Sequence, residues 1–79
     1  MLPLSLATMG KKYKVIRING RDEQKRHLNN LGFVEGETVQ IANELEGDLI
    51  IAVKDSRIAL SKEMSNRIVV EEINESGET

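Results

Sequence analysis

His27 is the only imidazole in this 79-residue chain, and cysteine is absent. Those two facts remove most reaction chemistry. One histidine allows at most one Ser-His-acid triad, and none of Ser5, Ser56, Ser61, Ser65 or Ser76 lies in a Gly-x-Ser-x-Gly elbow. A transition-metal site favours imidazole, thiolate and carboxylate ligands in a set geometry. His27 stands in a polar stretch and reads as a solvated side chain. Glu35 and Glu37, or Glu44, Glu46 and Asp48, could touch a hard cation only weakly, as acids in turns generally do. The residues therefore assign no catalytic group, no metal ligand and no cofactor. No Gly-x4-Gly-Lys-Ser/Thr loop is present to cradle a nucleotide phosphate.

Binding chemistry is bounded as well. Single-stranded nucleic acid needs aromatic platforms on which bases stack, and proline-rich peptides need an aromatic-lined groove. Only Tyr13 and Phe33 are available, and the isoelectric point is about 5.4. No nucleic-acid partner is expected. The charge is uneven along the chain. Residues 1–27 hold seven Lys/Arg against two acids, a balance of +5, and residues 28–79 hold four against eleven, a balance of −7. One reading is a basic face for an acidic partner. The plainer reading is that the two ends lie side by side and offset each other.

The elements that must position these side chains follow from punctuation and period. Residues 3–9 read as a short helical turn bringing Leu4 and Leu6 onto the domain, ended by Gly10. Tyr13 to Ile18 reads as a strand closed at Asn19-Gly20. Asp22 is a capping candidate for a helix to about Leu31, apolar only at Leu28 and Leu31. Then comes Leu31-Gly32-Phe33-Val34-Glu35-Gly36-Glu37-Thr38-Val39-Gln40-Ile41. Gly32 fits a helix stop, and Gly36 the third position of a turn from Val34 to Glu37, both places that need positive φ. Strands follow over Glu37–Glu44, Leu49–Lys54, Ser56–Leu60 and Arg67–Ile73. Turns lie at Leu45–Asp48 and Lys54-Asp55, with Asp55 the left-handed candidate, and Ser61 caps a helical turn to Asn66.

Five short strands with tight turns predict a mainly β fold, a small closed or nearly closed barrel, as one domain over residues 1–73. Residues 74–79 read as a polar, disordered tail. Inward candidates are Val39, Ile41, Leu49, Ile51, Val53, Ile58, Leu60, Ile68 and Val70. Ile50, Ala52, Val69 and Ile73 oppose them and need a cover. The longest purely apolar run, Leu49–Val53, is far short of a membrane span, and Met1 to Leu6 lacks the features of a secretory signal, so no membrane insertion is expected.

The Leu-Gly-Phe-x-x-Gly-x-x-Val-x-Ile run resembles the central signature of the FeoA family, accessory proteins of bacterial ferrous-iron transport. Leu4-Ser5-Leu6 with Gly10, Ser56-Arg57-Ile58-Ala59-Leu60, Met64 and Ile68-Val69-Val70 extend the likeness from about Leu2 to Ile73. Departures stand at Glu35 and Asp48, where proline is frequent, at Asp55 for a common glycine, and at Ser65 for alanine. The resemblance implies an SH3-like barrel with short added helices, a cytoplasmic location, and regulation by contact with the cytosolic part of the FeoB transporter. No catalytic motif carries over.

Two sets of residues are candidates for that contact. One is the helix face and following corner, Lys25, Leu28, Leu31 and Phe33. The other is the basic set Lys11, Lys12, Arg21 and Arg26. For Leu28, Leu31 and Phe33 the competing reading is core packing. Two other functions fit the same residues: the SH3-like regulatory domain of an iron-dependent repressor, and a self-associating module forming a homo-oligomer through the backs of Leu49–Val53 and Arg67–Ile73.

Overall fold

A computed structural model describes residues 1–73, so the tail expected at 74–79 lies outside the described residues. Strand β1 (Leu2–Pro3) leads into a 3₁₀ turn (Leu4–Leu6). Strand β2 (Lys12–Ile18), helix α1 (Asp22–Asn30), strands β3 (Thr38–Leu45), β4 (Asp48–Val53) and β5 (Ser56–Ser61), helix α2 (Lys62–Ser65) and strand β6 (Ile68–Glu72) follow. The strands form one antiparallel sheet in the order β1-β6-β2-β3-β4-β5. Among the described residues the sheet has six strands, where the sequence indicates about five. The extra strand is β1, which at two residues is too short to show a period of two.

One face of the sheet encloses a single core. Val39, Ile41, Leu49, Ile51, Val53, Leu60, Ile68 and Val70 are buried in it, with Leu4, Tyr13, Val15, Ile18, Leu28 and Phe33. Ile58, expected inward, is half-buried. In β2 the inward residues are Tyr13, Val15 and Ile18, so the alternation slips by one. The register shift between Val15 and Arg17 explains it: a bulge adds one residue, which sends Arg17 out and Ile18 in. The buried Tyr13 ring keeps its hydroxyl satisfied, accepting the Thr8 N–H at 2.9 Å.

Three local expectations are corrected. Leu4 is buried, but Leu6 is 70% exposed. Two residues apart on a three-residue turn point to different sides, so only one leucine can face the core. Asp22 is the first residue of α1, and the cap position is Arg21, whose N–H donates to Gln24 Oε1 at 3.0 Å. At the β4–β5 turn the positive φ falls on Lys54, at 54°, rather than on Asp55. Of the residues expected to need a cover, Val69 is buried where β1 pairs beside it, while Ile50, Ala52 and Ile73 are half-buried.

Ser61 caps α2 as expected, accepting the Met64 N–H at 3.1 Å. Ser65 is fully buried, and its hydroxyl donates to the Ser61 carbonyl at 3.0 Å. That bond lets a polar group occupy an apolar site without an unmet donor.

Candidate docking surfaces

The corner between α1 and β3 is built by the stop signal. Gly32 has φ 112° and follows Leu31, the C-cap of α1. The Phe33 N–H donates to the Leu28 carbonyl at 3.0 Å, and the Gly32 N–H to the Asn29 carbonyl at 3.0 Å. This is the paired bonding of a Schellman motif, with its apolar contact made by Leu28 and Phe33. Both side chains are fully buried. The next turn closes through Glu37 N–H to the Val34 carbonyl at 3.0 Å, with Gly36 at φ 91°. Gly36 N–H then donates to the Val15 carbonyl at 2.8 Å, tying the turn to β2.

That construction sorts the first candidate set. Leu28 and Phe33 belong to the core, because α1 has few apolar residues and needs both to anchor. They touch no surface and support the corner from beneath. Leu31 is half-buried against the core, and Lys25 is half-buried above it. Lys25 lines a shallow groove of about 320 Å³ with Ile18, Asn29, Val34 and Glu35. Of those five residues, only Lys25 was a candidate for partner contact from the sequence. Ile18 could not have been placed there without knowing of the bulge in β2.

The second set divides between two places. Lys11 and Lys12 stand at the start of β2, whereas Arg21 caps α1 beyond its far end and Arg26 lies on the exposed side of α1. A seven-residue strand spans roughly 20 Å, so the four cations do not form one patch. Arg21 and Arg26 instead join Lys25 on α1. Lys12 borders a second groove, of about 270 Å³, with Glu37, Thr38, Val39, Gln40, Ala52 and Lys54.

The charge imbalance along the chain is spatially paired in part. Strand β2 lies against β6, which sets Lys14 opposite Glu71, and Lys11 Nζ lies 3.3 Å from Glu72 Oε2. Lys54 reaches Glu37 at 3.8 Å, and Lys62 reaches Glu44 at 3.0 Å. These pairs are largely exposed and each contributes about 0–1 kcal/mol. Among the described residues, no three His, Asp or Glu side chains are grouped to hold a metal ion. No described helix is long and apolar enough to cross a membrane.

Comparison with known proteins gives a consistent picture. The family model described as FeoA domain matches residues 2–72. A protein of Methanocaldococcus jannaschii named for Fe(2+) transport, transport protein A, is 28% identical over 78 residues, covering 99% of this chain and 95% of that one. A crystal structure of an iron uptake regulatory protein, FeoA, superposes with a TM-score of 0.84 at 30% identity, over 91% of this chain and 96% of that one. The zinc complex of FeoA from Stenotrophomonas maltophilia, described as a prokaryotic SH3 domain protein, gives a TM-score of 0.79 at 27% identity, over 90% and 91%.

Proposed function

The chain belongs to the FeoA domain family, and from that premise we propose that it is a cytoplasmic accessory protein of ferrous-iron transport, docking on the cytosolic part of an FeoB-type transporter. The observation that carries this reading is the family match across nearly the whole chain. It is supported by a domain whose functional features are surfaces: a rigid helix corner and flanking cations.

The contact assigned to the transporter is the exposed Arg21 and Arg26 of the α1 region with the half-buried Lys25 and Leu31 and the groove between Ile18 and Val34. Leu28 and Phe33 keep this face rigid, which lowers the ordering cost of binding. Cations at such a rim act mainly on encounter rate and salt dependence.

Calorimetry with the purified cytosolic GTP-binding region of the matching transporter tests the reading, with and without a GTP analogue and Fe²⁺. Saturable binding is expected. Lys25→Glu combined with Arg26→Glu should weaken it by about tenfold or more, and make it less salt-sensitive, at an unchanged melting temperature. Saturable binding that these changes leave intact would move the contact to Lys11 and Lys12. No binding in any condition would sink the docking reading for this region.

A further inference from the structure

The two edges of the sheet are finished differently. At one, β1 is two residues long, Pro3 has no N–H to offer, and the 3₁₀ turn begins at the next residue. At the other, β5 runs for six residues and, among the described residues, pairs only with β4. The two-residue turn Lys54-Asp55 sets Val53 opposite Ser56, and such a turn closes on a pair that exchanges both backbone bonds. Alternation then turns Ile58 and Leu60 toward β4, and points the N–H and C=O of Arg57 and Ala59 outward. None of these four outward groups has a backbone partner among the described residues. Both residues are exposed.

The usable edge is short and bounded. It begins after the Lys54-Asp55 turn. It ends at Ser61, whose carbonyl already accepts the Ser65 hydroxyl and where α2 departs. Its midpoint is Ile58.

We propose that this edge takes β5 of a second copy of the chain, antiparallel, with the two-fold axis through Ile58. In that register the N–H and C=O of Arg57 meet the C=O and N–H of Ala59 of the second copy, and the symmetric pair does the same. All four outward groups of each chain are then satisfied. The side chains agree with the backbone. Arg57 faces an alanine, so no cation opposes a cation, and the half-buried Ile58 faces another β-branched residue across the axis. A shift of two residues that set Arg57 opposite Arg57 would lose both advantages. Any extended peptide could satisfy the backbone groups, and this match of side chains is what selects a second copy. One strand pair is a small contact, so the association is weak and grows with concentration. It does not depend on the docking role proposed for α1, which lies on a different element.

The test is sedimentation of the full chain up to about 1 mM, with backbone amide exchange measured at both ends of the range. The mass should rise from 8.9 kDa toward twice that value. The Arg57 and Ala59 amides should slow as it rises. Ala59→Pro should remain monomeric at the wild-type melting temperature, since its N–H faces away from β4. A chain that stays monomeric throughout would overturn the proposal, as would a dimer whose Arg57 and Ala59 amides exchange freely. Protection of the two amides that appears only with the cytosolic region of the transporter would overturn it too, and would give the edge to a strand of that partner.

Discussion

The α1–β3 corner and the β5 edge are opposite solutions within one sheet. At the corner, Phe33 and Gly32 donate to carbonyls of α1 and Gly36 donates to Val15 of β2, while Leu28 and Phe33 are sealed from solvent. At the edge, Arg57 and Ala59 present backbone groups with no backbone partner among the described residues, and exposed side chains. A domain this small buries only about 60% of its unfolded surface, so it has few places where burial can be concentrated. It places two fully buried side chains, Leu28 and Phe33, where the chain changes from helix to strand. It leaves the last strand before α2 available. Substitutions at the corner should therefore report on folding, and substitutions at the edge on association.

The largest effect should come from Phe33→Ala. Removing a fully buried ring costs about 3–5 kcal/mol, a large share of the stability of a domain this size. Denaturant unfolding should show a collapse of the midpoint or no cooperative transition. A loss below about 1 kcal/mol would mean that the corner is not the anchor.

Gly32→Ala comes next. An added Cβ would sit 3.5 Å from Val53 Cγ2, an ordinary contact, so space is not the obstacle. The obstacle is φ 112°, and holding a non-glycine residue there costs about 1–3 kcal/mol. Thermal melting should fall by about 4–8 °C for each kcal/mol. An unchanged melting temperature would show that the corner relaxes to another conformation.

The smallest effect is expected at the exposed ion pair between β2 and β6. Lys11→Ala removes the Glu72 partner and should cost about 0–1 kcal/mol, with any loss shrinking in high salt. A salt-independent loss of several kcal/mol would contradict the view that these charges are solvated. Ala59→Pro acts on association instead of stability and separates the regions most cleanly, changing self-pairing while leaving the melt as it was.

The sequence marked the corner plainly and the edge hardly at all. Gly32 and Gly36 were legible because positive φ leaves its trace in residue type. Ser61 was legible because a capping oxygen does the same. Strand β1 was hidden by its length. The N-cap at Arg21 was hidden because the satisfying oxygen belongs to Gln24, three residues on. The left-handed residue of the β4–β5 turn was misplaced onto Asp55, because strand pairing set the turn and overrode residue preference there. The candidate contacts were legible as residues but not as surfaces. Leu28 and Phe33 were named for a helix face and its following corner, and they lie beneath it in the core. The four cations were separated by the length of β2. Which backbone groups are left over depends on register, which no local pattern encodes.

The pairing of β1 with β6 has a consequence for how the chain is made. The first strand bonds to the last, and Ser5 Oγ donates to Asn66 Oδ1 at a separation of 61 positions. A nascent chain leaving the ribosome holds Leu2 and Pro3 outside long before Val69 and Val70 have been joined to it. That flank of the core stays open until β6 has been made, and contacts of such long range close slowly. The domain should therefore be vulnerable to proteolysis and misassociation while nascent, and become resistant only once β6 has joined the sheet.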